Sequence, residues 1–387
     1  MTSTDQRQGD QSPQANEPTG GLPLGRPFGV PVFLSWSWFI GAALITWLFY
    51  PLIERQLPDL ADWALVIAFC FAVLLGLSVL IHELAHAVAA LRFGQTVRRI
   101  NLHLLGGVSE IVGPNRRPGT DFVIAVVGPL ASLALAALGF GLVYLIPDET
   151  VLHLVAWQLA VANLIVGIFN LIPGLPLDGG RMLRDVVWAI TGREHTGTVA
   201  AAWTGRVLAV GLVALALLPM LMGNPDVIWL VWGFILASFI WFEAGRALQG
   251  AKVRSVLPAL SARTLTRRAI PLPADLPVNQ GLQRLADAGA GAIVTVGANG
   301  EVLGIVNETA VAALPEHRRP WVNLAAVSRS VPDGSSLNAD LMGEDLVDEI
   351  ATRLVSEYLV VESDGRIYGV LAAADVENAL TSELSKR

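Results

Sequence analysis

Charge is scarce in this chain. Asp, Glu, Lys and Arg make up 15% of its 387 residues, against about 25% in soluble domains, so an ordinary soluble enzyme is excluded. Lysine is scarcer still: of 26 basic residues only Lys252 and Lys386 are lysine, a compositional sign of a GC-rich bacterial genome. With one cysteine, Cys70, no internal disulfide can form. A net positive charge is also missing. The formal net charge is -7, which argues against a nucleic-acid partner. No small-residue A-x-A exit follows the first apolar run, which therefore reads as an anchor rather than a cleaved leader. What is abundant is apolar: 53% of the residues. That content excludes a disordered chain over most of the length.

The apolar residues gather into six runs: Pro31–Ile53, Trp63–Leu91, Phe122–Ile146, Val151–Ile172, Val199–Met222 and Val227–Leu248. Each reaches the ~20 residues needed to cross a ~30 Å hydrocarbon core. None has the polar face that a buried soluble helix would show. The expected fold is a polytopic α-helical membrane protein with about six transmembrane helices. Basic residues crowd the loops on one side: Arg92, Arg98, Arg99, Arg116 and Arg117; then Arg181, Arg184 and Arg193; then Lys252, Arg254, Arg263, Arg267 and Arg268. The opposite loops hold only Arg55 and several acids. This bias predicts both termini in the cytoplasm of a cell with the chain in its plasma membrane.

The two ends differ from the middle. Residues 1–22 are rich in Gln, Ser, Pro and Gly and are expected to be a disordered tail. After about Ala251 the composition becomes that of a soluble α/β unit. Within it, Ala292–Leu314 and Tyr358–Leu380 resemble each other around Gly304 and Gly369, each reading strand, turn, strand, helix. An internal duplication is the simplest explanation.

The chemistry concentrates at His82-Glu83-Leu84-Ala85-His86, an H-E-x-x-H motif at the end of the second run. On a helix, positions i and i+4 share a face, so His82 and His86 can grip one ion. Glu83 lies beside that face and can serve as general base. Ionisable groups inside a span cost roughly 2.5–3.5 kcal/mol each and mark function. Catalytic zinc takes three protein ligands and one water, so a third ligand is needed at similar depth. A rise of ~28 Å from Trp63 puts His82 near the cytoplasmic side. The fourth run arrives on that side at Asn170 and Pro173-Gly-Leu-Pro176-Leu-Asp178-Gly179-Gly180-Arg181. There the prolines stop the helix and the glycines permit a tight turn. Asp178 is the favoured third ligand and His103 its rival. His153, His195 and His317 need no more than surface or structural roles. The segment Val97–Val112 reads as a membrane-associated β-hairpin. Ile100, Leu102 and Leu104 alternate, Gly106 and Gly107 turn, and Val108 to Val112 return. Its edge could accept an extended peptide by strand addition.

These motifs together resemble the site-2 protease family of intramembrane zinc metalloproteases. The matching stretches are His82–His86, Gly128-Pro129-Leu-Ala-Ser132, and Asn170 through Arg181. The approach Gly29-Val-Pro-Val-Phe-Leu-Ser-Trp36-Ser-Trp38 resembles the branch that carries C-terminal tandem CBS domains. The resemblance covers roughly residues 25–250 and 251–381. It implies one zinc ion on His82, His86 and Asp178, with Glu83 as base. It further implies that Asn163 and Asn170, seven residues apart on one helix face, hold substrate or stabilise the oxyanion together with the Gly106-Gly107 turn. The alternative for the asparagines is interhelical hydrogen bonding. Gly128 and Pro129 are expected to allow close packing or a kink.

The expected organisation is thus a tail (1–22), a transmembrane protease domain (23–250), a cytoplasmic α/β CBS pair (251–381) and a short end (382–387). The expected function is regulated intramembrane proteolysis of a single-span or membrane-tethered protein, for example an anti-sigma factor. By resemblance the CBS pair would bind an adenine nucleotide through Asp375, six residues after Gly369, or mediate a homodimer. The first repeat carries Ala310 at that position. A CBS-gated transporter or channel is the competing class, but it would need a polar through-path, whereas the ionisable groups here gather on one side. A silent protease relative would be expected to lack Glu83 or Asp178.

Overall fold

The computed structural model describes residues 21–386, apart from residues 105, 114, 115, 149, 224, 225, 333 and 354. The expected disordered tail therefore lies outside the described residues, except that Gly21 and Leu22 open a strand. The chain divides into two compact units, Met1–Leu248 and Gln249–Arg387.

The first unit is built on helices α1 (Trp36–Gln56), α2 (Ala64–Arg92), α3 (Pro118–Leu145), α4 (Val151–Asn170), α5 (Asp178–Thr191), α6 (Glu194–Leu221) and α7 (Val227–Val256). Six of them, all but α5, are long and apolar enough to cross a membrane. Their packing is inverted relative to a soluble bundle. The buried side chains are largely alanine, such as Ala68, Ala125, Ala136, Ala160 and Ala209, while Trp47, Leu138, Leu145, Val207 and Phe242 face outward. Lipid is as apolar as leucine, so burial of large side chains gains little there, and close backbone approach through small residues holds the helices together. Gly139 shows the limit: a methyl at its Cα would stand 2.8 Å from Ala160 Cβ, where α3 meets α4.

Four strands, β1 (Gly21–Gly25), β2 (Val32–Ser35), β3 (Thr96–His103) and β4 (Gly106–Val112), form a sheet in that order. The expected hairpin is present, with Leu102 opposite Gly107 and His103 opposite Gly106. A register shift between Val97 and Arg99 breaks strict alternation, so the buried residues are Val97, Ile100 and Leu102. Leu104 falls outside the strand and is exposed. The first apolar run differs from its expectation as a single helix from Pro31. Val32–Ser35 is a strand paired in parallel with Ile100–Leu102, and the helix begins only at Trp36. A β-branched and aromatic Val-Phe-Leu segment suits a half-buried strand. One face of this sheet packs on Ala87 and Ala90 of α2 and Ile124 of α3, which sets it beside the H-E-x-x-H turn.

The second unit contains α8 (Ala262–Leu265), β5 (Arg267–Pro273), α9 (Val278–Asp287), β6 (Ala292–Val296), β7 (Val302–Val306) and α10 (Glu308–Ala313). It continues with β8 (Ser328–Arg329), β9 (Ser336–Asn338), α11 (Gly343–Arg353), β10 (Glu357–Val361), β11 (Ile367–Ala372) and α12 (Ala373–Ser385). Its strands run β8-β7-β6-β5-β11-β10-β9. The duplication is visible in the pairing: Arg267 stands opposite Val370, as Arg329 stands opposite Ile305. In sequence these partners each follow the central glycine of their repeat, Gly369 and Gly304.

Candidate metal centre

Helix α2 carries His82, Glu83 and His86 into the protein interior, all three buried. Asp178 arrives from another direction, as the first residue of α5. Tight backbone packing places it there. A methyl at Gly179 would stand 2.4 Å from the Ile172 carbonyl oxygen, and one at Gly180 would stand 2.3 Å from Gly174 and Leu175 backbone atoms. Gly205 of α6 is closed in the same way by the Leu175 oxygen at 2.1 Å. Neither Gly179 nor Gly180 is among the glycines with positive φ. They are needed for close approach of backbone to backbone rather than for a positive φ in the expected tight turn.

Three donor atoms converge. His82 Nε2 lies 3.1 Å from Asp178 Oδ2, His86 Nε2 lies 3.2 Å from the same oxygen, and the two Nε2 atoms are 3.2 Å apart. A tetrahedral zinc with bonds of ~2.0 Å separates its ligand atoms by roughly 3.3 Å, so this triangle has the size zinc requires. The other ring nitrogens are held from behind. His86 Nδ1 is 2.7 Å from the Ile124 carbonyl, which can only accept, so Nδ1 carries the proton and Nε2 presents a lone pair. His82 Nδ1 is 2.9 Å from Ser132 Oγ. Arg181 Nη1 stands 3.6 Å from the second Asp178 oxygen. Gly128 of α3 presses against the imidazoles: a methyl there would lie 2.1 Å from His86 Nε2 and 2.8 Å from His82 Nε2. The residues present therefore fit a zinc ion, and among the described residues His82, His86 and Asp178 form the group able to hold one.

Glu83 sits under the hairpin. Ser109 Oγ of β4 donates to its Oε2 at 2.6 Å, and a methyl at Gly107 would lie 2.4 Å from its Cγ. Gly128 allows close packing, as expected, and what packs on it is the histidine pair; Ser109 and the bond from Ser132 to His82 escape a reading of the sequence alone. Gly106 and Gly107 begin β4, with Gly106 at φ 137°. His103 is not in the cluster; its Nδ1 is 2.9 Å from Ser35 Oγ at the exposed end of β3. Asn163 is buried in α4 and spends its amide on Ser78 of α2 (3.1 Å) and the Leu159 carbonyl (2.9 Å). Asn170 closes α4, half-buried. Asp375 lies in the second unit, 3.9 Å from Arg267 Nε.

A buried His-His-Asp triangle beside a glutamate is a donor set that fits the zinc centre of a metallopeptidase. Residues 70–148 and 146–215 match the model of peptidase family M50. The chain is 28% identical over 369 residues to a provisionally named zinc metalloprotease of Synechocystis, covering 92% of this chain and 94% of that protein. It is 39% identical over 228 residues to the provisionally named zinc metalloprotease Rip3 of Mycobacterium tuberculosis, covering 57% of this chain and 56% of that one. Among solved structures it is similar to the site-2 protease from Methanocaldococcus jannaschii, with TM-score 0.42 and 24% identity over 59% of this chain and 95% of that one. Its second unit is similar to the CBS domain of a bacterial CNNM/CorC family Mg2+ transporter, with TM-score 0.27 and 12% identity over 34% of this chain and 83% of that one. The stretch that carries the metal centre, residues 70–215, thus matches peptidase family M50, and the relatives the chain resembles are zinc metalloproteases.

Proposed function

We propose that the protein is an intramembrane endopeptidase that cuts a single-span or membrane-tethered protein, with zinc on His82, His86 and Asp178 and with Glu83 as the general base. The observation that carries this reading is the convergence of the three donor atoms beside a buried Glu83. A zinc ion held there supplies a water acidified to a pKa of about 7 and polarises the scissile carbonyl. Glu83 takes the proton of the attacking water and returns it to the departing amine. Ser109 holds the Glu83 carboxylate in place by its hydrogen bond.

A substrate helix hides its amides in internal hydrogen bonds, so it must unwind before it can be cut. Strand β4 is the edge of its sheet and lies over Glu83 through Gly107 and Ser109. An extended substrate segment added to that edge would run past the base. Asn163 is committed to Ser78 and Leu159, which supports a helix-packing role for it and leaves Asn170 and the Gly106-Gly107 start of β4 as the substrate contacts. Both termini face the cytoplasm of a bacterium in this reading, following the basic loops. The second unit regulates the protease, by an adenine nucleotide at Asp375 or by dimerising. An anti-sigma factor is an example of a fitting substrate. Comparative membrane proteomics tests the proposal: a truncated membrane protein should be present with the wild-type enzyme and intact with Glu83→Gln. Identical membrane proteomes would contradict it.

A further inference from the structure

A second buried polar cluster lies apart from the metal triangle, where α3, α5 and α6 begin or pack. Asp121, in the first turn of α3, is 6% exposed. It accepts from Gln95 Nε2 at 3.0 Å and from Arg116 Nε at 3.0 Å, and Arg184 Nη2 of α5 stands 3.7 Å away. Arg116 also donates to Glu194, in the first turn of α6, at 2.9 Å. Arg184 Nε donates to Asp185 at 2.7 Å. Asp185 is 1% exposed, and its Oδ2 has no hydrogen-bond partner among the described residues. Buried charges are costly unless paired, so such a cluster must act as a unit or not form.

Its placement relative to the metal is specific. Asp178 and Asp185 are seven residues apart on α5. Seven residues turn a helix by nearly two full turns, so both carboxylates leave the same face, roughly 10.5 Å apart along the axis. Asp178 meets His82 and His86; Asp185, one heptad on, is locked in with Arg184 next to Asp121. Helix α5 is short, 14 residues, and carries exposed Val186 and Ile190 on another face. Its first turn is wedged by Gly179 and Gly180, and its middle meets α6 closely, since a methyl at Gly197 would lie 2.2 Å from the Arg184 carbonyl oxygen. The same cluster holds both feet of the hairpin. Gln95 immediately precedes β3, and Arg116 lies between β4 and α3.

We propose that Asp185 and Arg184, clamped against Asp121, are positioning residues that fix the rotation and depth of α5 so that Asp178 presents Oδ2 to the two histidines. They touch neither metal nor substrate and act through Asp178. The anchor also ties the hairpin over Glu83 to the carboxylate of the metal site, so the two halves of the centre are set by one group of charges. This rests on Asp178 as the third ligand. If that reading fails, Asp178→Ala alone will bind zinc normally, an outcome separate from those below.

The test uses the purified full-length protein. Zinc affinity is measured by chelator competition, the visible d–d spectrum of the cobalt-substituted protein is recorded, and the melting temperature of the metal-free protein is followed. Asp185→Asn keeps the shape and removes the charge; Asp185→Ala removes both. The expected result is a fall in zinc affinity of about tenfold for the alanine variant and several-fold for the asparagine variant, with an altered cobalt spectrum in each. A role in folding alone predicts a lower melting temperature with zinc affinity within twofold of wild type and an unchanged cobalt spectrum, and that result would overturn the proposal. Failure of both variants to fold would also overturn it, since the cluster would then be a folding element rather than a positioning one.

Discussion

Ser109 donates a 2.6 Å hydrogen bond to Glu83, joining an edge strand to a carboxylate beside the His82–His86 pair. The contact spans 26 residues of sequence and fixes where the Glu83 carboxylate points. Gly107, two residues earlier, leaves no space between strand and glutamate. Gly107→Ala should therefore push Glu83 or the strand aside. Cleavage should fall at least tenfold while zinc content stays near one per chain. Full activity in Gly107→Ala would mean that the hairpin is not seated on the base during turnover.

Gly128 makes a prediction of the opposite kind. A methyl there would overlap His86 Nε2 at 2.1 Å, and a buried ring closed in by its own hydrogen bond to Ile124 cannot easily retreat. Gly128→Ala should lose zinc as well as activity. Metal analysis of the purified variant checks this, and stoichiometric zinc would contradict it.

Asp178 and His103 separate cleanly. Asp178→Ala leaves two histidines, an incomplete set for catalytic zinc, and should lose both metal and activity. His103→Ala removes a residue bonded to Ser35, not to the cluster, and should retain zinc. The reverse pattern would make His103 the ligand.

The second unit offers a pH test. Arg263 donates to both oxygens of Glu362, at 2.9 and 2.8 Å. Those bonds hold the Glu362 carboxyl below its ordinary value of 4.5. A group whose pKa is depressed by folding stabilises the fold above its unfolded pKa and stops doing so as pH falls through the folded one. Glu362→Gln should thus lower the melting temperature of this unit slightly at pH 7, and the difference should shrink as the pH falls below the ordinary glutamate value and through the depressed one. The pair is half-buried at the surface, so the effect should be small and reduced by salt. A difference that grows on acidification would contradict the assignment.

The sequence makes some parts of this protein legible because their signals are local. Five of the six apolar runs each fall essentially on one helix, the i, i+4 histidines lie on one turn of α2, and the hairpin joins two strands adjacent in sequence. Asp178 was reachable because a loop ending an inward span has little choice of side. Other parts depend on contacts distant in sequence. The strand Gly21–Gly25 has weak β character, and its partner at Val32–Ser35 looks like the start of a span because apolar runs do not reveal whether they are strand or helix. Gly179 and Gly180 read as turn residues, yet their need for hydrogen in place of a side chain comes from the backbone of residues 171–175. Asp121, Arg184 and Asp185 look like ordinary loop and surface charges until α3 and α5 bring them together.

The general base is the centre of this account, and Glu83→Gln tests it most directly. Glutamine has nearly the same shape but cannot take a proton from water. The purified variant should keep one zinc per chain and a wild-type melting temperature, while cleavage of a single-span substrate falls by on the order of 10²–10⁴. Zinc-loaded Glu83→Gln that retains more than about half the wild-type rate would contradict the account.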